Sequence, residues 1–482
     1  MSDAPELKRP PQPVPPWVRH PVRRWVVLGS GFVAAAVALA VGVGQLPSRQ
    51  GWTVEAGPTT VAPSVFGVPE PTAPDGDPSP MPDPDAACLA AALNAVPQSG
   101  DGNMNGYVIG LASGAVLWDR GGSQPVMPAS TLKVLTTLAL VDALGPGALA
   151  ATYKTSVVAG GGDQIVLVGG GDPYLASRVS LANLGQPATL NDLAAATAEA
   201  LKAAGRTQVR VGYDGGIFTG PDWHPTWDGT NTTDVTRISA LWADEGMTPP
   251  AGATPSVYNR SSAPAQDAAF IFANQLQAHG IGVTTVAPAT APAGAQPIAS
   301  IESLPLRDII ASVLLMSDNS AAEVLLRHLA IAKGRPGTFV DGAQSVTDWL
   351  AAHNLATPGT HIADGSGLSR SNLVPTATLA AVIEAAAASD GPAREVIARL
   401  PVAAASGTLL DRFQEPYAGM ARGRVHAKTG SLTGVASLAG YTVTTSGQWL
   451  AFAVVISGST QGYVTARSWL DRQVATMTTA QC

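Results

Sequence analysis

Charged residues are scarce in this chain of 482 residues, where Asp, Glu, Lys and Arg together make up only 13%. The formal net charge of −7 leaves no basic excess, which argues against nucleic acid as a partner. Hydrophobic residues reach 46%, a proportion that suits a folded body with a large core and a modestly charged surface. The length allows about two or three domains.

The chain also lacks the patterns that accompany metal and cofactor sites. Its histidines are scattered and show no spacing of the kind that zinc ligands adopt. We therefore expect neither a metal ion nor an organic cofactor.

The N-terminal region differs in composition from the rest. Residues 25–44 form an uncharged apolar run of bilayer length, and residues 1–24 form a Pro-rich basic tail. This arrangement predicts a transmembrane signal-anchor with a cytoplasmic tail. A signal peptide cleaved at Ala38-Leu39-Ala40 is the alternative, and in both cases the body lies outside the cytoplasm. Residues 45–87 are rich in Pro, Gly, Ser, Thr and Asp, which predicts an extended linker.

Cysteine is limited to Cys88, at the start of the predicted folded body, and Cys482, the last residue. In an oxidising compartment an isolated pair of cysteines usually bonds. We therefore predict a disulfide between the two ends of the body, with two free thiols as the alternative.

Three short motifs stand out in the folded body: Ser130-Thr131-Leu132-Lys133, Ser317-Asp318-Asn319 and Lys428-Thr429-Gly430. Each is weak evidence alone, because such strings occur by chance in helices and turns. The chain has only six lysines, however, and two of them fall inside these motifs. Ser-x-x-Lys, Ser-x-Asn and Lys-Thr-Gly in this order are the nucleophile set of a known class of serine enzymes.

The local context of each motif supports this interpretation. Ser130 and Lys133 lie at a predicted helix start, one turn apart on the same face. The second motif follows an apolar helix, Leu306 to Met316, and precedes a helix for which Ser320 and Glu323 predict a capping box. The third ends the first of three strand candidates, and a helix from about Tyr463 closes the chain. Strands covered by helices predict an α+β fold.

The long gap between Ser130 and Ser317 exceeds what two sides of one cleft require. We therefore predict a separate inserted domain over residues 151–298. The main domain is then formed by residues 88–150 together with residues 299–482. The insert carries no convincing chemistry of its own.

With these motifs, the chain resembles the type-4 penicillin-binding proteins, a family of D-alanyl-D-alanine carboxypeptidases and endopeptidases. The resemblance extends to Gly169-Gly170-Gly171-Asp172-Pro173, to residues 364–370 and to residues 406–413. It implies a serine β-lactamase/D,D-peptidase-like domain, interrupted by a large insert after the Ser-x-x-Lys helix. It also implies peptidoglycan stem peptides as substrates and covalent binding of β-lactams.

The resemblance assigns the covalent chemistry to the first two motifs. Ser130 would be the nucleophile and Lys133 its general base, which requires a lowered pKa from burial or from a neighbouring cation such as Lys428. Ser317 would relay a proton to the leaving D-alanine.

The same resemblance assigns substrate binding to the remaining positions. Asn319 would hold the substrate amide, and Lys428 and Thr429 would bind the terminal carboxylate. Next to Gly430, the backbone N–H of Ser431 would form the oxyanion hole together with that of Ser130.

Two alternatives stay open at this point. A class A β-lactamase needs a deacylating Glu, normally in a Glu-x-x-Leu-Asn string, and no such string occurs between Asn319 and Lys428. A non-catalytic scaffold that binds the cell wall is the second alternative, against which the intact Ser130 and Lys133 pair argues. The sequence does not separate carboxypeptidase from endopeptidase action.

Overall fold

The computed structural model describes residues 81–178, 187–248 and 259–482. The predicted tail and signal-anchor, and all of the predicted linker before residue 81, lie outside these ranges. Within them, no helix combines the length and the apolar character needed to span a membrane.

The strands follow one another along the described chain as follows: β1 Asn103–Gly110, β2 Val116–Arg120, β3 Lys154–Ala159, β4 Gln164–Val168, β5 Gln208–Asp214, β6 Met247–Thr248, β7 Asn259–Arg260, β8 Gly282–Pro288, β9 Pro297–Glu302, β10 Val425–Leu432, β11 Val435–Val443 and β12 Trp449–Ser457.

The helices of the same ranges are α1 Ala86–Asn94, α2 Leu132–Leu144, α3 Leu190–Ala203, α4 Pro264–Ala278, α5 Leu306–Met316, α6 Asn319–Ala332, α7 Phe339–Ala352, α8 Thr376–Ala387, α9 Pro392–Ala398 and α10 Tyr463–Thr479.

One five-stranded antiparallel sheet brings the two ends of the body together, in the order β10-β11-β12-β1-β2. Side chains alternate between its faces, and helices cover both of them. On β12, Phe452 and Val454 pack with α1 and α10, whereas Ala451 and Ala453 pack with α2 and α8. The predicted α+β class is therefore confirmed.

The disulfide forms at the junction of the two chain ends. Cys88 in α1 is bonded to Cys482, and the backbone N–H of Asp85 donates to the carbonyl of Cys482 over 3.2 Å. The sequence prediction of this pair is confirmed.

Helix α2 lies at the centre of the main core. Every residue from Leu132 to Val141 is buried, as expected for a helix that is apolar all round. The helix ends at Gly145, whose φ of 71° lies in the left-handed region that favours glycine. The element that begins beside Ser130 is therefore held rigidly.

A second five-stranded sheet is formed within the insert, in the order β8-β5-β4-β3-β9. Strands β4, β5 and β8 are parallel, and α3 and α4 pack on this sheet through a core of their own. The last strand, Pro297–Glu302, pairs with β3. In the structure this sheet extends to Glu302, beyond the expected boundary at residue 298.

The insert is also less separate than the sequence suggested. Trp227, Val235, Ile238 and Trp242, which follow β5, belong to the core that surrounds α2 and α6 rather than to the core of the second sheet. Because these apolar side chains complete the main core, the stretch between β5 and β6 belongs structurally to the site domain.

Candidate active site

Ser130 lies in a short 3₁₀ turn, Ala129–Thr131, that leads into α2. Ala129 before it has a φ of 49°, a left-handed conformation that is uncommon for a residue with a side chain. Gly367 approaches this turn so closely that a Cβ there would lie 2.0 Å from the Ala129 carbonyl oxygen. The nucleophile turn is therefore strained and enclosed by a neighbouring loop, as functional turns often are.

The fully buried side chain of Lys133 links the first two motifs. Its Nζ donates to Ser130 Oγ over 2.9 Å and to Asn319 Oδ1 over 2.7 Å. A third bond of 2.8 Å goes to the carbonyl of Ser366. The amine is therefore within proton-transfer distance of the serine hydroxyl.

Burial lowers the pKa of Lys133 to about 8, although the negative charges of Glu323, Asp318 and Asp364 oppose the shift. Desolvation disfavours the ammonium form, so a neutral amine becomes accessible near neutral pH. Burial, one of the two causes that the sequence suggested, is therefore the main cause of the shift.

Ser317 ends α5 in a left-handed conformation with a φ of 61°. Asp318 then caps α6, and its Oδ1 accepts from the backbone N–H of Ala321 over 3.0 Å. Asn319 Nδ2 donates to the carbonyl of Asp234 in the insert over 3.1 Å. In the described part of the chain no hydrogen bond joins Ser317 to Ser130.

The predicted capping box at α6 is wrong, because Asp318 rather than Ser320 is the N-cap. Glu323 is fully buried, and its carboxylate accepts from the backbone N–H groups of Gly365 and Ser366 over 2.7 to 3.0 Å. These bonds hold the loop whose Ser366 carbonyl accepts from Lys133. Burial first and then the Asp364 charge raise the pKa of Glu323, and the amide bonds oppose that rise.

Glu323 is the residue near the nucleophile whose role the sequence interpretation missed. It lies four positions after Asn319, so both side chains project from one face of α6. This spacing is the feature of the sequence from which a position of Glu323 near the site could have been inferred.

Asp364 stabilises the same loop from within. Its carboxylate accepts from the backbone N–H groups of Gly367 and Ser369 and from the indole N–H of Trp227, over 2.6 to 2.9 Å. Residues 364–370 therefore form a turn whose buried acid supports the site, and Trp227 ties that turn to the insert.

Lys428 and Thr429 lie on β10, the edge strand of the main sheet. Burial, followed by the charge of Lys133, lowers the pKa of Lys428 well below its ordinary value. Lys428 Nζ donates to the Thr429 carbonyl over 2.9 Å, and Thr429 Oγ1 donates to Thr408 Oγ1 over 2.7 Å. Thr408, in the short turn Gly407–Leu409, is a second neighbour of the site that the sequence did not assign.

Gly430 permits β10 to lie against the nucleophile turn. A Cβ at this position would lie 2.9 Å from the Ser130 nitrogen and 2.2 Å from Ser437 Oγ. Only glycine leaves the space between the strand and Ser130 open. Ser431 follows at the exposed end of the strand, so the third motif also meets the first.

The site therefore combines a serine hydroxyl, a buried amine of lowered pKa, an amide and a second buried lysine. In the described ranges no group of three or more His, Cys, Asp or Glu side chains is placed to hold a metal ion. The arrangement suits nucleophilic attack by an activated serine.

Comparison with known proteins identifies the group to which this site belongs. The sequence pattern of the D-Ala-D-Ala carboxypeptidase 3 (S13) family matches residues 87–254 and 245–477. The chain belongs to this family. The resemblance found in the sequence is thereby confirmed.

Two relatives show how far the S13 similarity extends. A carboxypeptidase of Mycobacterium tuberculosis is 36% identical over 386 residues, which cover 77% of this chain and 80% of that protein. Carboxypeptidase DacB of Mycolicibacterium smegmatis is 32% identical over 464 residues, which cover 95% of this chain and 97% of the relative.

A solved structure shows that the S13 fold is shared. The crystal structure of penicillin binding protein 4 from Haemophilus influenzae superposes with a TM-score of 0.66 at 22% identity. The superposition covers 81% of this chain and 97% of that one.

Proposed function

We propose that this S13 family member is a serine-type D-Ala-D-Ala carboxypeptidase that cleaves peptidoglycan stem peptides through an acyl-enzyme on Ser130. The observation that carries the proposal is the hydrogen-bonded set of Ser130, Lys133 and Asn319. The names of its relatives, which include a D-alanyl-D-alanine carboxypeptidase of Actinomadura, support the same reaction.

Acylation begins when neutral Lys133 removes the proton of Ser130. The Ser130 oxygen forms a bond to the carbonyl carbon of the penultimate D-Ala, and the C–N bond to the terminal D-Ala then breaks. The leaving nitrogen takes up a proton, which Ser317 relays. Water cleaves the resulting ester, so that Ser130 is regenerated and the shortened peptide is released.

The third motif binds and polarises the substrate. Lys428 and Thr429 bind the terminal carboxylate, whose negative charge favours the charged form of the lysine. The N–H groups of Ser130 and Ser431 stabilise the oxyanion. The close approach of Gly430 to Ser130 supports this arrangement.

The same site predicts that β-lactams are turned over slowly. Glu323, a buried acid close to the nucleophile, is engaged by backbone amides instead of being free to activate water. We therefore expect penicillin to acylate Ser130 and to leave slowly. Rapid hydrolysis of nitrocefin would favour the β-lactamase alternative.

The enzyme acts outside the cytoplasm, where peptidoglycan lies. The disulfide between Cys88 and Cys482 suits an oxidising compartment. Anchoring of the body to the membrane through residues 25–44 is part of this proposal and is supported by the length of their apolar run.

Labelling with a fluorescent penicillin tests the assignment of the nucleophile. The wild-type protein should form a covalent adduct, and Ser130→Ala should form none, because the attacking oxygen is gone. Ser446→Ala, at an exposed turn between β11 and β12, is the matched control and should label normally. An adduct that survives in Ser130→Ala would refute the assignment.

Substrate cleavage separates the two peptidase activities. Release of free D-Ala from a pentapeptide measures carboxypeptidase action, and cleavage of crosslinked dimers measures endopeptidase action. We expect the first activity to be present in the wild-type protein and absent from Ser130→Ala.

A further inference from the structure

We propose that Tyr174 and Glu245, both from the insert, clamp Asp318 and thereby position Ser317 and Asn319 for the reaction. The insert is then part of the catalytic apparatus, through residues that touch neither the nucleophile nor the substrate. The inference depends on the proposed function in one respect, which is that its test measures the acylation of Ser130.

Tyr174 reaches the middle motif directly. Its hydroxyl donates to Asp318 Oδ2 over 3.1 Å, whereas the other oxygen of Asp318 caps α6. The backbone N–H of Tyr174 donates to Asp172 Oδ1 over 2.8 Å, and Trp242 Nε1 donates to the carbonyls of Asp172 and Pro173 over 3.1 Å. These hydrogen bonds therefore fix the turn that carries Tyr174.

This turn explains the Gly169-Gly170-Gly171-Asp172-Pro173 motif, to which the sequence assigned no chemistry. A Cβ on Gly170 would lie 1.9 Å from the carbonyl oxygen of Lys154. A Cβ on Gly171 would lie 2.4 Å from His328 Nε2 on α6. The glycines thus let the end of β4 pack against both β3 and α6, which brings Tyr174 to the start of α6.

Glu245 approaches Asp318 from a second turn of the insert. Asp244 and Glu245 both have left-handed backbones, with φ of 51° and 55°. The carboxyl of Glu245 interacts with that of Asp318 strongly enough to raise the Glu245 pKa, and its backbone carbonyl accepts from Thr236 Oγ1 over 2.7 Å. Two adjacent non-glycine residues in this conformation indicate a turn that its surroundings hold in place.

Burial and the surrounding charges together shift the pKa of Glu245. The acidic groups that face it are Asp318 on α6 and Asp244 in its own turn, with the Tyr174 hydroxyl nearby, and Arg260 on β7 supplies a positive charge. Burial first and then the Asp318 charge raise the pKa of Glu245 well above its ordinary value, although Arg260 opposes them. This shift favours the protonated form of Glu245, which can donate to Asp318.

Further contacts from the same part of the insert hold the loop. Asn319 donates to the Asp234 carbonyl over 3.1 Å, and the backbone N–H of Thr236 donates to Ser320 Oγ over 3.1 Å. Since Asn319 also accepts from Lys133, a shift of Asp318 would be transmitted to the base. Once the pH exceeds the raised pKa of Glu245, two carboxylates face each other and the clamp weakens.

The test is the second-order rate constant of acylation by a fluorescent penicillin, measured from neutral to alkaline pH. Glu245→Gln keeps a neutral donor to Asp318. It should acylate within about twofold of wild type at neutral pH and should lose the alkaline decline that the wild-type enzyme shows. Glu245→Ala and Tyr174→Phe should acylate about tenfold more slowly at every pH.

The controls are Glu199→Gln, at an exposed position of α3, and Tyr213→Phe, a half-buried tyrosine of β5. Both should keep the wild-type rate and pH profile. Thermal unfolding of every variant shows which of them fold.

A Glu245→Gln profile with the wild-type alkaline decline would overturn the clamp, as would a folded Tyr174→Phe that acylates at the wild-type rate. If Glu245→Ala does not fold, the profile of Glu245→Gln decides. Failure of the proposed function looks different, because the wild-type protein would then form no adduct at Ser130.

Discussion

In the proposed mechanism, Lys133 and Glu323 form the pair of residues on which activation of Ser130 depends. Lys133 needs a neutral amine to accept a proton, and Glu323 holds the loop that presents the Ser366 carbonyl to that amine. In its ionised form the Glu323 carboxylate, whose pKa is raised to about 8, also raises the pKa of Lys133, which burial lowers. The same acid therefore orients the base and restrains its loss of a proton.

The pH dependence of acylation should reveal both effects. For wild type, we expect the acylation rate to rise with pH through an inflection near pH 8, because the pKa of Lys133 is about 8 rather than 10.5. The decline that the Glu245 clamp predicts lies on the alkaline side of this inflection. In Glu323→Gln the carboxylate charge is lost, so the pKa of Lys133 falls and the inflection moves to lower pH. The limiting rate should also fall, by about tenfold, because the Ser366 loop loses support.

Glu384→Gln is a suitable control, since this half-buried acid lies on α8 and is not among the charges that shift the pKa of Lys133. Its inflection should match that of wild type. An inflection of the wild-type enzyme near 10.5, or a shift of Glu323→Gln toward higher pH, would contradict this account.

The sequence predicted the residues of the three motifs because their chemistry and spacing are local. Ser130 and Lys133 are one helical turn apart, and Ser317 and Asn319 share one loop. The spacing of Glu323 from Asn319 is also local, but the loop that it binds, residues 364–370, is distant in sequence. Tyr174 and Glu245 could not be found in this way, because their contacts depend on how α6 packs against the insert. The supporting residues are consequences of tertiary structure.

At the scale of elements, the C-terminal helix α10 supports the third motif through a buried ion pair. The Arg412 guanidinium donates to both carboxylate oxygens of Asp471 on α10, and their side chains are only 2% and 11% exposed. Arg412 follows the short turn that carries Thr408, the partner of Thr429. The pair therefore connects α10 to the turn that contacts strand β10.

Arg412→Ala should lower the free energy of unfolding by about 3 to 5 kcal/mol, because it leaves the Asp471 carboxylate buried without its partner. Urea unfolding measures this loss. Arg210→Ala removes an ion pair with Asp163 that is 45% and 54% exposed, and it should change stability by less than about 1 kcal/mol. Equal effects of the two substitutions would contradict a special role for the buried pair.

Elements with strong periodicity were predictable, and the contacts between them were not. The predicted helix from Leu306 to Met316 and the helix start near Tyr463 agree with the structure. The predicted capping box at α6 does not form, because the Glu323 carboxylate accepts hydrogen bonds from the backbone amides of a loop that is distant in sequence. The pairing of strand β9 with β3 was not predictable either, because the two strands are far apart along the chain.

At the scale of the whole molecule, the N-terminal and C-terminal elements of the folded body pack against each other. Strand β1 pairs with β12, α1 and α10 share one core, and the disulfide joins Cys88 to Cys482 across a sequence separation of 394 residues. The sequence indicated an insert from the gap between two motifs. It did not show that Trp227 and Val235 complete the core around α2, because the apolar character of a residue does not indicate which other residues it will contact.

The disulfide should therefore stabilise the body without taking part in the chemistry. A cross-link that closes such a long loop limits the unfolded chain, and removing one typically lowers stability by about 2 to 5 kcal/mol. We expect reductant to lower the urea midpoint of the wild-type protein and to leave that of Cys88→Ser/Cys482→Ser unchanged. The acylation rate per folded molecule should stay the same in both, since neither cysteine contacts the described site residues. A wild-type midpoint that is insensitive to reductant would show that closure rests on the shared sheet alone.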